Sequence, residues 1–127
     1  MQEFQFRRAD SGSRKADLEV FNVHPMQGEQ QSYFASAGLP LKEDYAVIGM
    51  LPGPTRQHSV MTLAGVTTIA TQAAVEYVCN ADSVEQLLKR VRSSGSEVMP
   101  FEAVIRVSVS RGVPVSSQLV AVHMRTP

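Results

Sequence analysis

The sequence predicts an α+β fold: one sheet of about six strands, mostly antiparallel or mixed, with two consecutive helices packed on it. Three observations predict it. Between His58 and Val78 (HSVMTLAGVTTIATQAAVEYV) the hydrophobic period changes at Gly65. It passes from strand-like to the three-and-four spacing of Val66, Ile69, Ala70, Ala73, Ala74, Tyr77 and Val78, which share one helix face. Tyr45 to Leu51 (YAVIGML) is a nearly continuous apolar run, as expected of a strand covered on both faces. Phe101 to Ser110 alternates, with Phe101, Ala103, Ile105, Val107 and Val109 on one side, and a second β-branched run follows the Arg111-Gly112 turn.

Each element has its own local signal. Phe4 and Phe6 alternate with polar neighbours and predict an edge strand, broken by the turn composition of Asp10 to Arg14 (DSGSR). Leu18 to His24 (LEVFNVH) alternates again and pairs back on it as a hairpin. From Pro25 to Asp44 the chain carries Gly28, Gly38, Pro40 and many Gln and Ser residues, so 25–44 reads as a long loop. The PGPTRQ connector suits antiparallel pairing of Tyr45–Leu51 with His58–Ala64. After the first helix, Asp82 with Glu85 three residues on resembles a capping box, and Val84, Leu87, Leu88 and Val91 form the buried face of a second helix. Lys89, Arg90 and Arg92 in its last turns suit the helix dipole, and the SSGS stretch ends it. The strand from Phe101 is expected to be half exposed to water and to make a long hairpin with Val115 to Met124. The two helices then form a crossover between the strand before Gly65 and the strand after Pro100. An antiparallel α+β sandwich is the alternative.

Composition narrows the class. A chain of 127 residues that is 43% hydrophobic can bury one core, so a single domain over residues 1–127 is expected. Twelve basic and twelve acidic residues give a formal net charge of zero, which argues against holding nucleic acid or anionic lipid through the overall field. The one cysteine, Cys79, cannot form an intramolecular disulfide and permits a reducing compartment such as the cytoplasm. It falls at a helix C-terminus, where the dipole disfavours a thiolate. No apolar run approaches the ~20 residues that span a bilayer, and MQEFQFRRADSGSRK lacks the apolar stretch of a signal peptide, so the sequence reads as soluble and untargeted.

The best candidate site is the turn itself. A strand-turn-helix aims the first helical N–H groups, with the hydroxyls of Thr67 and Thr68 beside them, at the space above the strand end. Gly65, Thr67, Thr68 and His58 are accordingly the candidate ligand-binding residues, and a small anion is the candidate ligand. Packing and helix capping explain the same residues, since no P-loop lysine and no G-x-G-x-x-G fingerprint accompany them. His24, His58 and His123 sit near strand ends without metal-ligand spacing, so no metal, cofactor or catalytic residue is assigned. Glu76 and Glu85 read as surface charges on helices. Lys89, Arg90, Arg92, Arg106 and Arg111 would form a basic strip if the second helix packed beside the last hairpin. Without aromatic interleaving, a nucleic-acid partner is not expected.

DYAVIGMLPGPTRQHSVMTLAGVTTIATQAAVEYVCNADSVEQLLKRV, with PFEAVIRVSVSRGVPVSSQLVAVHM after it and NVHPMQGEQQSYF before it, resembles the C-terminal region of a group of uncharacterised proteins frequent in soil acidobacteria. The most specific part is Val60 to Val78, where that group often has an LAGT or LQGT turn. Here Val66 replaces the threonine, which removes one hydroxyl from the helix start. In that group the region follows further α/β sequence and, in some members, a helix-turn-helix-like or membrane-anchored segment. The resemblance therefore implies the terminal part of a larger sensing or regulatory protein, and implies no catalytic residues. A sheet lacking upstream strands would leave an apolar edge, so a homo-oligomer is expected, by strand pairing or by covering of the edge with the 25–44 loop.

Two functions fit these readings. One is a non-enzymatic sensory, ligand-binding or interaction module. The other is an enzyme using His58 or His24 as acid/base near the Gly65 turn, which requires a histidine and a carboxylate or hydroxyl within hydrogen-bond reach beside Thr67.

Overall fold

The computed structural model describes residues 2–55, 57–91 and 99–124. Seven strands and two helices follow in the order β1 (Phe4–Arg8), β2 (Leu18–Asn22), β3 (Ser32–Phe34), β4 (Glu43–Pro52), β5 (Ser59–Gly65), α1 (Thr68–Val78), α2 (Ala81–Val91), β6 (Phe101–Ser110) and β7 (Val113–Met124). They form two sheets: an N-terminal one ordered β1-β2-β3 and a central one ordered β5-β4-β6-β7. All pairings are antiparallel. The α+β class is as the sequence predicts, whereas the single six-stranded sheet is not.

The reason for two sheets lies in β4 and β6. Ala46, Ile48, Phe101, Ala103, Ile105 and Val107 point to one side of the central sheet, where α1 and α2 cover them with Ala70, Ala73, Ala74, Tyr77, Leu87 and Val91. Tyr45, Val47, Val104 and Ala121 point to the other side, which the helices cannot reach. That second apolar face is buried by Phe4, Val20 and Tyr33 of the N-terminal sheet. Helices, central sheet and N-terminal sheet thus make three layers. Phe4 is fully buried; removing a side chain of this size from water is worth about 2–3 kcal/mol.

The same layering corrects three local expectations. β6 is not half exposed: Glu102 and Val104, on its supposed water side, are fully buried under the N-terminal sheet. The 25–44 segment is not all loop, because Tyr33 supplies β3 with a buried aromatic anchor and Glu43 and Asp44 already belong to β4. Its Leu39 stays exposed and covers nothing apolar. The second helix starts at Ala81, with Ser83 N–H donating to Asn80 Oδ1 at 3.0 Å, so Asn80 and not Asp82 caps it. Glu85 faces Lys89 at 3.9 Å instead of folding back on the cap. The Ser93–Ser96 stop and Arg92 lie outside the described residues.

Because β5 and β6 both run antiparallel to β4, they are parallel to each other, and the helix pair is the crossover between them, as expected. Its entry is set by Gly65. A Cβ there would meet the Thr71 backbone nitrogen, and would lie 2.6 Å from both Ala70 Cβ and Thr67 O, so α1 can approach β5 only over a glycine. We expect Gly65→Ala to lower unfolding free energy by about 1–3 kcal/mol in urea titration, the usual cost of an overpacked core. Gly53, where the added Cβ would press on the His58 carbonyl, should show a related loss.

Candidate functional site

Three places hold chemistry-bearing side chains: the start of α1, a polar seam between the two sheets, and the recess where α1 and α2 meet β7. The start of α1 contains the residues the sequence singles out. Thr67 is the N-cap: its hydroxyl accepts from Ile69 N–H at 3.2 Å and donates to the Asp44 carboxylate. Asp44 is fully buried, and its other oxygen accepts from Tyr45 N–H at 2.9 Å. The chain's own carboxylate therefore stands beside the helix N-terminus, where the dipole favours negative charge. Thr68 is exposed on the first turn, and Gly65 N–H donates to Thr71 Oγ1 at 2.9 Å.

His58 is not with them. Its Nδ1 lies 2.6 Å from Thr55 Oγ1, at the opposite end of β5, roughly 20 Å from Gly65 at ~3.3 Å per residue. His24 and His123 converge on Glu3, on the far side of the central sheet from α1. The histidine acid/base arrangement required beside Thr67 is not assembled there. The basic strip is also divided, because Arg106 projects with Tyr45 toward the N-terminal sheet, 3.6 Å from Glu43, while α2 lies on the other face. Cys79, exposed at the end of α1, is free.

The seam between the sheets was not legible in the sequence. His123 is fully buried; its Nδ1 is 3.0 Å from Glu3 Oε1 and its Nε2 2.7 Å from Glu29 Oε1. Its ring stacks at a tilt on Phe4, centroids 4.6 Å apart. Opposite it in the ladder, buried Glu102 accepts from three successive backbone N–H groups, those of Gln2, Glu3 and Phe4, each at 3.1 Å. Glu29 also accepts from Asn22 Nδ2 at 2.9 Å and Met26 N–H at 3.0 Å. Burial pulls the Glu29 pKa up, but the Met26, Asn22 and His123 donors outweigh it, and the net shift is downward. Every charge here is answered by another part of the chain, and no cluster among the described residues has the arrangement of a metal site. The only sequence signal was a His in β7, because Glu102 shares its β6 face with Arg106, Ser108 and Ser110 and reads there as an ordinary solvent-facing charge.

The recess is lined by Ala73, Glu76 and Tyr77 of α1, Asn80, Ser83 of α2, and Pro114 to Ser117 of β7, and has a volume of about 160 Å³. Tyr77 is buried, and its hydroxyl is one of two buried side-chain polar atoms without a hydrogen-bond partner among the described residues; Asn22 Oδ1 is the other. Burial raises the Tyr77 pKa, with Arg90 opposing. A larger cleft, about 450 Å³, lies on the outer face of the N-terminal sheet. Its two arginines are already engaged: Arg7 stacks on Phe21 and pairs with Glu19 at 2.9 Å, and Arg14 stacks on Phe34 and pairs with Asp17 at 2.6 Å.

Comparison with protein-family models, with curated proteins and with solved structures gave no match. No helix among the described residues is long and apolar enough to cross a membrane.

Two measurements follow from the seam and the buried phenols. Truncation of His123 to Leu strands Glu3 and Glu29 without their shared donor and should cost about 3–5 kcal/mol, the penalty of a broken buried pair, read by chemical denaturation. Lowered Glu29 adds stability above the ordinary carboxylate range that is lost as pH falls through it. Tyr33, Tyr45 and Tyr77 are all raised, chiefly by burial, so on the alkaline side the unfolded phenols ionise first. Stability should therefore decline as pH climbs past about 10. Melting temperature against pH should show both flanks, with phenolate absorbance appearing together with unfolding.

Proposed function

We propose that this chain is a non-enzymatic ligand-binding module of the sensory or interaction type, and that its ligand is a small neutral polar molecule held in the recess between α1, α2 and β7. The observation that supports this reading is the Tyr77 hydroxyl. A buried hydroxyl without a partner costs about 1–3 kcal/mol, and native proteins retain few of them. Tyr77 belongs to the wall of a recess whose polar groups include the hydroxyls of Ser83, Ser116 and Ser117, the Asn80 amide and the Glu76 carboxylate, and its hydroxyl lies buried behind that wall. Such a lining offers donors and acceptors with little fixed charge, which suits hydroxyl- or amide-bearing ligands. The volume corresponds to about five water molecules at ~30 Å³ each, so the ligand, or the part of it that enters, is small.

A small anion at Gly65, Thr67 and Thr68 has less support, because Asp44 already stands beside that helix start. An acid/base enzyme has less still, because the one fully buried histidine, His123, is enclosed by Glu3 and Glu29 and cannot reach a substrate.

Glycerol and acetamide are suitable probes. Titrated into isotopically labelled protein, they should give saturating amide shifts confined to 73–83 and 114–117. Tyr77→Phe should weaken that binding about tenfold, equivalent to ~1.4 kcal/mol, while leaving the free protein as stable or slightly more so. Shifts that spread over the whole chain without saturating, or a Tyr77→Phe protein that binds as tightly, would remove the reading.

A further inference from the structure

The four sheet edges are not alike. β1 carries Arg7 and Arg8, β3 has three residues, and β7 has Pro114 and two register shifts against β6, all features that discourage a further strand. β5 has none of them. It reads SVMTLAG, pairs with β4 over its whole length without a register shift, and carries no charge. Val60 and Met61 on it are 45% and 43% exposed.

The ladder shows which backbone groups are open. Val66 N–H donates to Tyr45 C=O, so Ala64, Thr62 and Val60 also turn their backbone groups toward β4, by strand alternation. Gly65 N–H points the other way and is closed by Thr71 Oγ1. Leu63, Met61 and Ser59 therefore present their N–H and C=O groups outward, and the Thr71 hydroxyl ends this open stretch on one side.

We propose that the β5 edge is the site where a second copy of this chain adds, antiparallel and related by a twofold axis at Met61. In that register Met61 faces Met61 of the other copy and Ser59 faces Leu63, exchanging about six backbone hydrogen bonds and joining the two central sheets. Self-complementarity favours a second copy: the twofold register pairs every outward group of Ser59–Leu63 with the same strand, no ionisable side chain there opposes itself, and a formal net charge of zero gives the two copies no long-range repulsion. The twofold also brings the two α1 helices onto the same face. Of their exposed residues, Thr68, Gln72, Val75 and Cys79 are uncharged, and the one charge, Glu76, lines the recess on the β7 side; this scarcity matches the depletion of charge at interface cores. This association does not depend on the ligand reading.

Analytical ultracentrifugation of the whole chain decides it, together with amide hydrogen exchange. The wild-type protein should sediment at twice 13.9 kDa at high concentration. Met61→Lys sets two like charges face to face and should raise the dimer dissociation constant at least about tenfold without altering the circular dichroism spectrum. Ser59→Lys, at another exposed position, sets a charge against Leu63 of the other copy; it should also raise the dissociation constant, and serves if the first variant folds poorly. In the wild type, Ser59, Met61 and Leu63 amides should be protected and should lose protection on dilution or in either variant, while Val60, Thr62 and Ala64 stay protected. A wild-type monomer at every concentration, a dimer indifferent to both lysines, or protection gained on β7 instead of β5 would each overturn the proposal.

Discussion

The contact on which the rest of this fold depends is the imidazole of His123 held between the carboxylates of Glu3 and Glu29. Both distances are those of hydrogen bonds, and a ring with a single N–H can donate only one of them, so the arrangement needs a second proton on the ring or on one of the carboxylates. Around it, Glu102 gathers the N–H groups of Gln2, Glu3 and Phe4, and Glu29 gathers Asn22 and Met26. These polar bonds fix where the N-terminal sheet lies across the central one. Phe4, Val20 and Tyr33 can then cover Tyr45, Val47, Val104 and Ala121 in one register. Apolar contact supplies the larger share of the attraction between the layers, but it is non-directional; the seam supplies the position.

A similar division holds at α1. The first turn is close to β5 because Gly65 has no side chain, and it is oriented because Thr67 joins its first free N–H groups to Asp44 on β4. A feature that in other folds cradles a phosphate is here turned inward and satisfied by the protein itself. The proposed binding recess lies at the other end of α1, where Tyr77 and the polar residues of the α1–α2 corner meet the start of β7. The chemistry-bearing residues thus separate into those that position layers and those that line a surface.

The elements of the helix-covered central sheet were legible in the sequence, and the second sheet was not. The glycine at which the period changes, the two-sided apolar run of β4 and the alternation of β6 located the four strands of the central sheet and, with the apolar face after Asn80, both helices to within a few residues. The Tyr45–Leu51 pattern even stated that two faces needed cover. The sequence could not say what supplied the second cover, because Phe4, Phe6 and Val20 make an ordinary hairpin pattern whether they extend a sheet or stack on one. β3 escaped because a single buried side chain, Tyr33, carries it. The polar seam escaped for a different reason: Glu3, Glu29, Glu102 and His123 are separated by up to 120 residues, and nothing in their local context marks them as neighbours. The recess was equally hidden, since an unpartnered hydroxyl is a property of three-dimensional surroundings and not of a motif.

That long separation has a consequence for how the chain reaches its native state. Glu3 finds its partner on β7, the last strand, and Gln2 to Phe4 find theirs on β6. During synthesis the N-terminal hairpin is therefore made long before the surface that positions it exists. The helices and the β4–β5 pair can assemble from contacts much closer in sequence, while the N-terminal layer closes only when nearly the whole chain is available. Closure of that layer belongs at the end of folding, and until then the apolar faces of β1 and β2 are the surfaces most open to wrong partners.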